Sequence, residues 1–437
     1  MGTDTTWKFH KTFWIANLVE FFERAAYYAV FIAITLYLTN VVGFNDIWSA
    51  WISGGFSAGL YFLPPFAGAV ADKIGFRKGI IIAFSLLSIG YFLLGLFPYK
   101  LIVIPTLVVV MIGGSFIKSI ITGTVALTTT EKTRARGYSL FYMVVNIGAF
   151  LGKTFAAPMR INIGLKSINF FSATMTILAL IVVYFFYKNS EQRGEGKSLK
   201  ETWEGFVRIV TNLRLVTLII IVTGFWMIQH QLYATMPKYV IRTVGEHAKP
   251  EWIANVNPAI VMVFVVLITQ LMRKVKAVTS MTIGMFIMPL SALTMALSPV
   301  LESLTGQSIS IFGIFTMHPI TVMLILGIVL QGFAECFISP RFLEFFSFQA
   351  PKGEEGMYLG FSHMHSFLAS LLGFGLSGYL LTEYCPDPRF LTAAEKLHAY
   401  DKAHVIWYYF ATIGLISAIS LVIYNYVTKK IDDKEST

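Results

Sequence analysis

Three charged residues stand close together in an apolar stretch near the start of the chain. Glu20, Glu23 and Arg24 lie between the runs FWIANLV and AVFIAITLYLTNVV, and a charge at the bilayer centre costs roughly 2.5 to 3.5 kcal/mol on insertion scales. Their spacing places them on one face of a helix, which Tyr27 and Tyr28 extend by a turn. Because such charges must face a cavity or one another, the stretch indicates a functional site.

Two other apolar segments each carry an isolated charge. Lys118 lies in VVVMIGGSFIKSIITG, and Glu335 lies in GIVLQGFAECFISP. Neither has an opposite charge one helical turn away, so we expect partners from other helices or from a charged ligand. Lys118 and Arg24 against Glu335 would supply both poles for a zwitterion. The alternative is a set of ion pairs that only pins helices together.

The elements that must position these charges are membrane-spanning helices. Of the 437 residues 56% are hydrophobic and 13% are charged, which predicts an all-α integral membrane protein. About twelve apolar segments are long enough to cross about 30 Å of hydrocarbon. They lie near residues 12–40, 46–70, 79–97, 102–129, 137–158, 167–187, 214–240, 253–272, 277–299, 318–348, 356–382 and 403–428.

The basic residues predict the orientation of the chain. Short loops that carry Lys and Arg follow the second, fourth and last segments, and two lysines precede the first. All fall on one side if both termini are cytoplasmic. The net charge of +10 therefore reflects topology and contact with anionic lipid of the cell membrane, and no nucleic-acid partner is expected. We expect a functional monomer.

A polar stretch in the middle divides the segments into six and six. It predicts an N-terminal bundle over residues 1–187, a cytoplasmic linker over 188–213 and a C-terminal bundle over 214–437. Ser198 and Glu201 form a capping-box pattern within the linker, which predicts an amphipathic surface helix, with a simple tether as the alternative. This plan is that of the major facilitator transporters.

A local motif is similar to one of that fold. GAVADKIGFRK resembles the pattern G-x-x-x-D-[RK]-x-G-x-[RK]-[RK] between helices 2 and 3, in which Gly68 permits close approach. Asp72 and Arg77 are therefore predicted to gate the cytoplasmic side. A charged turn without a gating role would explain the basic residues but not the whole spacing.

Patterns typical of enzymes and metal sites have simpler explanations. GFGLSG at 373–378 matches G-x-G-x-x-G, but it lies in an apolar segment and follows no strand, so it predicts close helix packing. His363 and His365 lack a second ligand cluster. We therefore expect no enzyme, no metal and no cofactor apart from a coupling proton.

Several blocks together resemble the proton-coupled oligopeptide transporter family, a branch of the major facilitator superfamily. The stretch E-F-F-E-R-A-A-Y-Y ending at Tyr28 resembles its helix 1 pattern, and SLFYMVVNIGAFLG resembles its helix 5 block, with Asn146 as the asparagine. GFAECFISP resembles its helix 10 block. The resemblance implies symport of protons with di- and tripeptides or related small zwitterions by alternating access.

The resemblance also implies roles for individual residues. Arg24 and Lys118 would receive the peptide carboxylate, and Glu335 would receive the amine. The further pocket residues implied are Tyr27, Tyr28, Tyr61, Asn146, Trp226 and Asn257. The residues implied in proton coupling are Glu20, Glu23, Arg24 and Lys118.

The chain also departs from the family pattern. His230 precedes Gln231 where the family usually has an acidic residue, so His230 is a candidate for titration in its place. Ser119 follows the helix 4 lysine where a proline is common. A facilitator carrier for another small organic anion or drug-like solute therefore remains the alternative. A channel is less consistent, because the charges cluster near mid-membrane in both halves.

Overall fold

The computed structural model describes residues 9–130, 133–187, 198–311, 313–350 and 355–435, and it is predominantly helical. The first seven helices are α1 (Lys11–Asn40), α2 (Asp46–Phe62), α3 (Pro64–Ile74), α4 (Phe76–Leu96), α5 (Lys100–Leu127), α6 (Arg134–Asn162) and α7 (Leu165–Phe186). The next six are α8 (Leu199–Val210), α9 (Leu213–Gln229), α10 (Gln231–Ala234), α11 (Met236–Val244), α12 (Pro250–Ile253) and α13 (Val256–Met272).

The remainder contains seven helices and a small hairpin. The helices are α14 (Ala277–Ala296), α15 (Ser298–Thr305), α16 (Pro319–Gln349), α17 (Glu355–Ser362), α18 (Met364–Tyr384), α19 (Ala393–Lys396) and α20 (Val405–Glu435). Strands β1 (Ile309–Ile311) and β2 (Phe315–Met317) pair antiparallel, with Ser310 opposite Thr316. A short 3-10 helix covers Pro388–Phe390.

The number of spans agrees with the sequence except at the second. Eleven helical segments of the described chain are long and apolar enough to cross a membrane, so this is a multi-pass membrane protein. The span predicted over 46–70 consists of two helices, because α2 has 17 residues and α3 has 11, and they meet at Leu63. Pro64 has no N–H to donate, so the helix restarts there.

Two other predicted spans are interrupted near polar residues. The segment predicted over 214–240 consists of α9, α10 and α11, with breaks at His230 and Thr235. The segment over 356–382 consists of α17 and α18, with a break at His363. Discontinuous helices are common where transporters bind their substrates.

Contacts group the residues into two compact units. Unit 1 contains the residues up to Phe31 together with Leu63–Glu204, and unit 2 contains Ile32–Phe62 together with the residues from Gly205 onward. Packing thus joins the last 9 of the 30 residues of α1 and all of α2 to later helices. The predicted division at 187 and 214 follows chain order and stays a prediction.

In unit 2, α2 and α18 pack closely through glycines. A Cβ at Gly54 would lie 2.8 Å from the carbonyl oxygen of Ser370, and a Cβ at Gly378 would lie 2.8 Å from the Cβ of Ala50. Gly378 ends the GFGLSG segment, and Gly375 of the same segment faces the ring of Trp51. The expected role of this segment in helix packing is confirmed.

The linker helix α8 begins at the predicted capping box. The backbone N–H of Ser198 donates to Oε2 of Glu201 at 2.6 Å, and the N–H of Glu201 donates to Oγ of Ser198 at 3.2 Å. Leu199 and Trp203 are exposed on the helix surface, whereas Ile209 is buried. Residues 188–197 of the predicted linker lie outside the described residues.

Candidate functional site

The helix 1 cluster consists of Glu20, Glu23 and Arg24 in unit 1. The Nε atom of Arg24 lies 3.1 Å from Oε1 of Glu20, and the guanidinium also pairs with Oε2 of Glu23. Both carboxylates are buried, with 3% and 2% of their surface exposed. Oε2 of Glu20 has no hydrogen-bond partner among the described residues. One guanidinium is thus shared by two carboxylates, and protonation of either one releases donors.

Aromatic rings and two further cations surround the cluster in unit 1. The guanidinium carbon of Arg24 lies 5.4 Å from the ring centroid of Tyr27, and Nζ of Lys153 lies 5.7 Å from that of Tyr28. Lys118 lies within electrostatic range of Glu20, Glu23 and Arg24. Lys153, to which the sequence assigns no role, is 1% exposed. Lys153 is thus held against an aromatic ring, and Lys118 adds a second positive charge within range of the two carboxylates.

Close packing of α6 fixes the helix 1 cluster in place. A Cβ at Gly148 would lie 2.8 Å from Cβ of Arg24, and a Cβ at Gly152 would lie 2.3 Å from the carbonyl oxygen of Ala25. Only glycine permits this approach. Asn146 is buried on the same helix, and its amide nitrogen donates to the carbonyl oxygen of Tyr142 at 2.8 Å. Its role with substrate stays a prediction.

In unit 2, two neutral amides hold the carboxylate of Glu335. Nε2 of Gln229 lies 3.1 Å from Oε2 of Glu335, and Nδ2 of Asn257 lies 3.3 Å from the same oxygen. The structure therefore brings together Glu335 and Asn257, both predicted. Gln229 was missed, although a polar residue one turn after Trp226 in an apolar span is a detectable signal. One carboxylate oxygen of Glu335 thus accepts from two side-chain amides that belong to different helices.

The histidine cluster is a closed circle of five rings in unit 2, formed by Tyr61, Trp226, His230, His363 and His365. Neighbouring centroids are 6.1 Å apart for Tyr61 and His230, 6.2 Å for Tyr61 and His363, 5.9 Å for His363 and His365, 5.1 Å for His365 and Trp226, and 6.4 Å for Trp226 and His230. Three predicted site residues thus meet His363 and His365, for which the sequence analysis expected no metal site.

Serine hydroxyls continue from His230 toward α2. Nδ1 of His230 lies 3.3 Å from Oγ of Ser370, which lies 2.9 Å from Oγ of Ser57. All three residues are buried. Within the described residues no group of three or more His, Cys, Asp or Glu is suited to a metal ion. His230 and His365 each lie within hydrogen-bonding distance of a serine hydroxyl.

The outer cluster consists of Asp46, Lys238 and Arg242 in unit 2, at helix ends predicted to face outward. Nζ of Lys238 donates to Oδ1 of Asp46 at 2.7 Å. The two terminal nitrogens of Arg242 lie 2.8 Å from Oδ2 and 2.9 Å from Oδ1. All three side chains are nearly inaccessible. Sequence reasoning missed this cluster, although its residues lie at or next to the ends of the spans predicted over 46–70 and 214–240.

A loop carboxylate extends the outer cluster. Nη2 of Arg242 lies 3.7 Å from Oδ2 of Asp387, which also pairs with Arg389. Burial raises the pKa of Asp387, but hydrogen bonds from Arg389 and the charge of Arg242 outweigh burial and hold the pKa below its ordinary value of 3.8. The carboxylate of Asp387 is therefore ionised at neutral pH.

The two predicted gating residues occupy adjacent helices of unit 1. Asp72 lies near the end of α3, and Nη2 of Arg77, near the start of α4, donates to the carbonyl oxygen of Tyr184 at 2.8 Å. No hydrogen bond joins Asp72 to Arg77 in the described part of the chain. Ser119, which stands where the related family has proline, donates its hydroxyl to the carbonyl oxygen of Pro64. The gating role of Asp72 and Arg77 stays a prediction.

Comparison with known proteins points to one transporter superfamily. The model of the Major Facilitator Superfamily matches residues 16–312 and 301–436. The multidrug resistance protein MdtH of Photorhabdus laumondii is 24% identical over 404 residues, which are 90% of each chain. The dipeptide and tripeptide permease B of Photorhabdus asymbiotica is 26% identical over 184 residues, 41% of this chain and 37% of that permease.

A solved structure has the same overall fold. A POT family transporter in complex with 5-aminolevulinic acid superimposes with a TM-score of 0.75 at 16% sequence identity, and the match covers 96% of each chain. At this identity the likeness establishes the fold alone. Together with the permease match it confirms the resemblance derived from the sequence blocks.

Proposed function

Because this chain belongs to the Major Facilitator Superfamily, we propose that it is a secondary active transporter that moves di- or tripeptides, or related small zwitterions, together with protons. The observation that carries the proposal is the sharing of one half-buried guanidinium, that of Arg24, by two buried carboxylates in the middle of a membrane span. Curated peptide permeases among its relatives support the substrate class.

The coupling step follows from the chemistry of the helix 1 cluster. A proton on Glu20 or Glu23 cancels one ion pair and leaves guanidinium donors for the carboxylate of a substrate. Lys118 adds a second positive charge near Arg24, and the family resemblance assigns the substrate amine to Glu335. Proton binding and substrate binding thus favour each other at one residue, Arg24. Release of the proton restores both ion pairs and expels the substrate carboxylate.

We further propose that the protein acts as a monomer in the cell membrane with both termini cytoplasmic. The proton is its coupling ion, and it uses no other cofactor. Asp72 and Arg77 gate the cytoplasmic side.

A second candidate function is transport of a drug-like solute. The observation that favours it is the match to a multidrug resistance protein over 90% of both chains, whereas the match to the permease covers 37% of that relative. In such a carrier the same charged residues would recognise an organic anion or cation. Peptide would then neither enter nor move protons.

The two functions are separated by proton entry into liposomes. The purified protein is reconstituted with an internal pH dye, and trialanine is added under an inside-negative potential. We expect acidification that depends on peptide and disappears in Glu335→Gln. No response, while a known peptide symporter responds in parallel, would contradict peptide symport and favour the second candidate.

A further inference from the structure

The histidine cluster lies close to the carboxylate that is proposed to bind the substrate amine. Trp226 of the cluster precedes Gln229 by one helical turn, and Gln229 donates to Glu335 at 3.1 Å. From the other side, the ring of His365 contacts that of Phe342, with centroids 4.8 Å apart. Phe342 and Glu335 are seven residues apart on α16, or about 10 Å. A dipeptide with its amine at Glu335 can cover most of this distance only with its backbone and side chain together.

Each ring of the cluster carries an N–H or O–H group, and three of them are imidazoles. Oγ of Ser366 lies 2.9 Å from Nδ1 of His365, and Oγ of Ser370 lies 3.3 Å from Nδ1 of His230. These contacts fix the orientation of the two buried imidazoles. The cluster contains no acidic side chain. Its phenol, indole and imidazoles can donate hydrogen bonds, and the imidazoles can carry positive charge when protonated.

Part of the cluster is accessible, and it lies where helices are interrupted. His230 and His365 are buried, whereas Tyr61, Trp226 and His363 are only half-buried. The accessible members carry a hydroxyl, an indole N–H and an imidazole. His363 lies at the break between α17 and α18, and His230 lies at the break after α9. Interrupted helices of transporters are found at ligand sites.

We propose that the histidine cluster is a subsite for an acidic side chain of the transported peptide, that of aspartate or glutamate. This inference rests on the proposed function and deepens it. The two peptide termini are assigned to other charges, so a third charge on the substrate requires its own partner. A carboxylate accepts hydrogen bonds from the cluster and gains from any positive charge on its imidazoles. A neutral amide of the same shape lacks the charge.

The test compares alanyl-glutamate with alanyl-glutamine, which differ only in charge at nearly equal shape. Uptake of each labelled dipeptide is measured in proteoliposomes at one external pH. We expect the intact protein to take up alanyl-glutamate about fivefold faster, in line with a partly exposed ion pair. His363→Gln and Tyr61→Phe should each lower this ratio toward one. Both variants are conservative, and their folding is checked by thermal unfolding in detergent.

A matched control comes from the loop histidine His398. It is 76% exposed and pairs with Asp401, so His398→Gln should leave the ratio unchanged. A ratio near one in the intact protein, or an unchanged ratio in both cluster variants, would overturn the subsite while peptide transport stands. Faster uptake of alanyl-phenylalanine than of alanyl-glutamate would identify an aromatic stacking site and overturn it too. If no dipeptide is transported, the proposed function fails first and the subsite fails with it.

Discussion

The helix 1 cluster and the outer cluster both bury acids and bases inside a membrane protein, yet they are built in opposite ways. In the helix 1 cluster two carboxylates share Arg24, and one oxygen of Glu20 has no partner among the described residues. In the outer cluster one carboxylate, that of Asp46, receives three hydrogen bonds from two cations. The first arrangement has acceptors in excess, and the second is saturated.

This difference indicates different tasks. A shared guanidinium exchanges partners when a proton or another carboxylate arrives, because the two acids compete for the same donors. A saturated buried carboxylate has nothing to gain from exchange, and removal of it leaves Lys238 uncompensated and Arg242 with only the more distant Asp387. The helix 1 cluster is therefore suited to coupling, and the outer cluster is suited to holding α2 against α11.

The largest expected effect is at Arg24. Arg24→Gln removes the base on which both carboxylates depend, and we expect proton-coupled uptake to fall to background in proteoliposomes. Arg24→Lys is the matched control, because an ammonium keeps the charge but lacks the planar fork. It should retain partial uptake. Full uptake in Arg24→Gln would remove this residue from the coupling mechanism.

The next effect is at Asp46. Asp46→Asn should lower the free energy of unfolding by about 3 kcal/mol, since it leaves the buried Lys238 without its acid and Arg242 with only the more distant Asp387. Cys385 is buried, and its carbonyl oxygen accepts from Arg242 at 2.6 Å, so maleimide should label it faster in the variant. Cys385→Ser in the same background identifies the labelled thiol. Unchanged labelling and stability would show that the outer cluster does not stabilise the packing of α2 against α11.

A smaller effect is expected at Lys238. Lys238→Met leaves the two-pronged bond between Asp46 and Arg242 intact, so the acid keeps a cation. We expect Lys238→Met to lower the free energy of unfolding by less than half as much as Asp46→Asn does. An equal loss would indicate that Lys238, not Arg242, carries the interaction.

The smallest effect is at Arg389, whose side chain is 42% exposed. Arg389→Gln should cost less than about 1 kcal/mol at neutral pH. Because the pKa of Asp387 is depressed in the fold, its stabilising contribution is present above pH 3.8 and is lost as pH falls through the lower folded pKa. The variant should raise that pKa and weaken the loss of stability in acid. The free energy of unfolding is measured against pH in the acid range. Identical curves for both proteins would contradict the raised pKa of Asp387.

Prediction succeeded where a pattern is local. The helices, the capping box at Ser198 and the face shared by Glu20, Glu23 and Arg24 all depend on residues within one or two turns. Prediction missed the break at Pro64, where one span consists of two helices. The blocks resembling the transporter family also named Glu335 and Asn257, but the partner Gln229 emerged only from the fold.

The sequence by itself determined the membrane class, the approximate spans and the charges of the helix 1 cluster, because hydrophobic length and helical periodicity are properties of short segments. Only the tertiary structure decided that Asp46 meets cations 192 and 196 residues away, or that five rings from three segments close into a circle. Such contacts depend on how helices pack, and packing is fixed by complementary surfaces distributed over the whole chain. No local pattern encodes them.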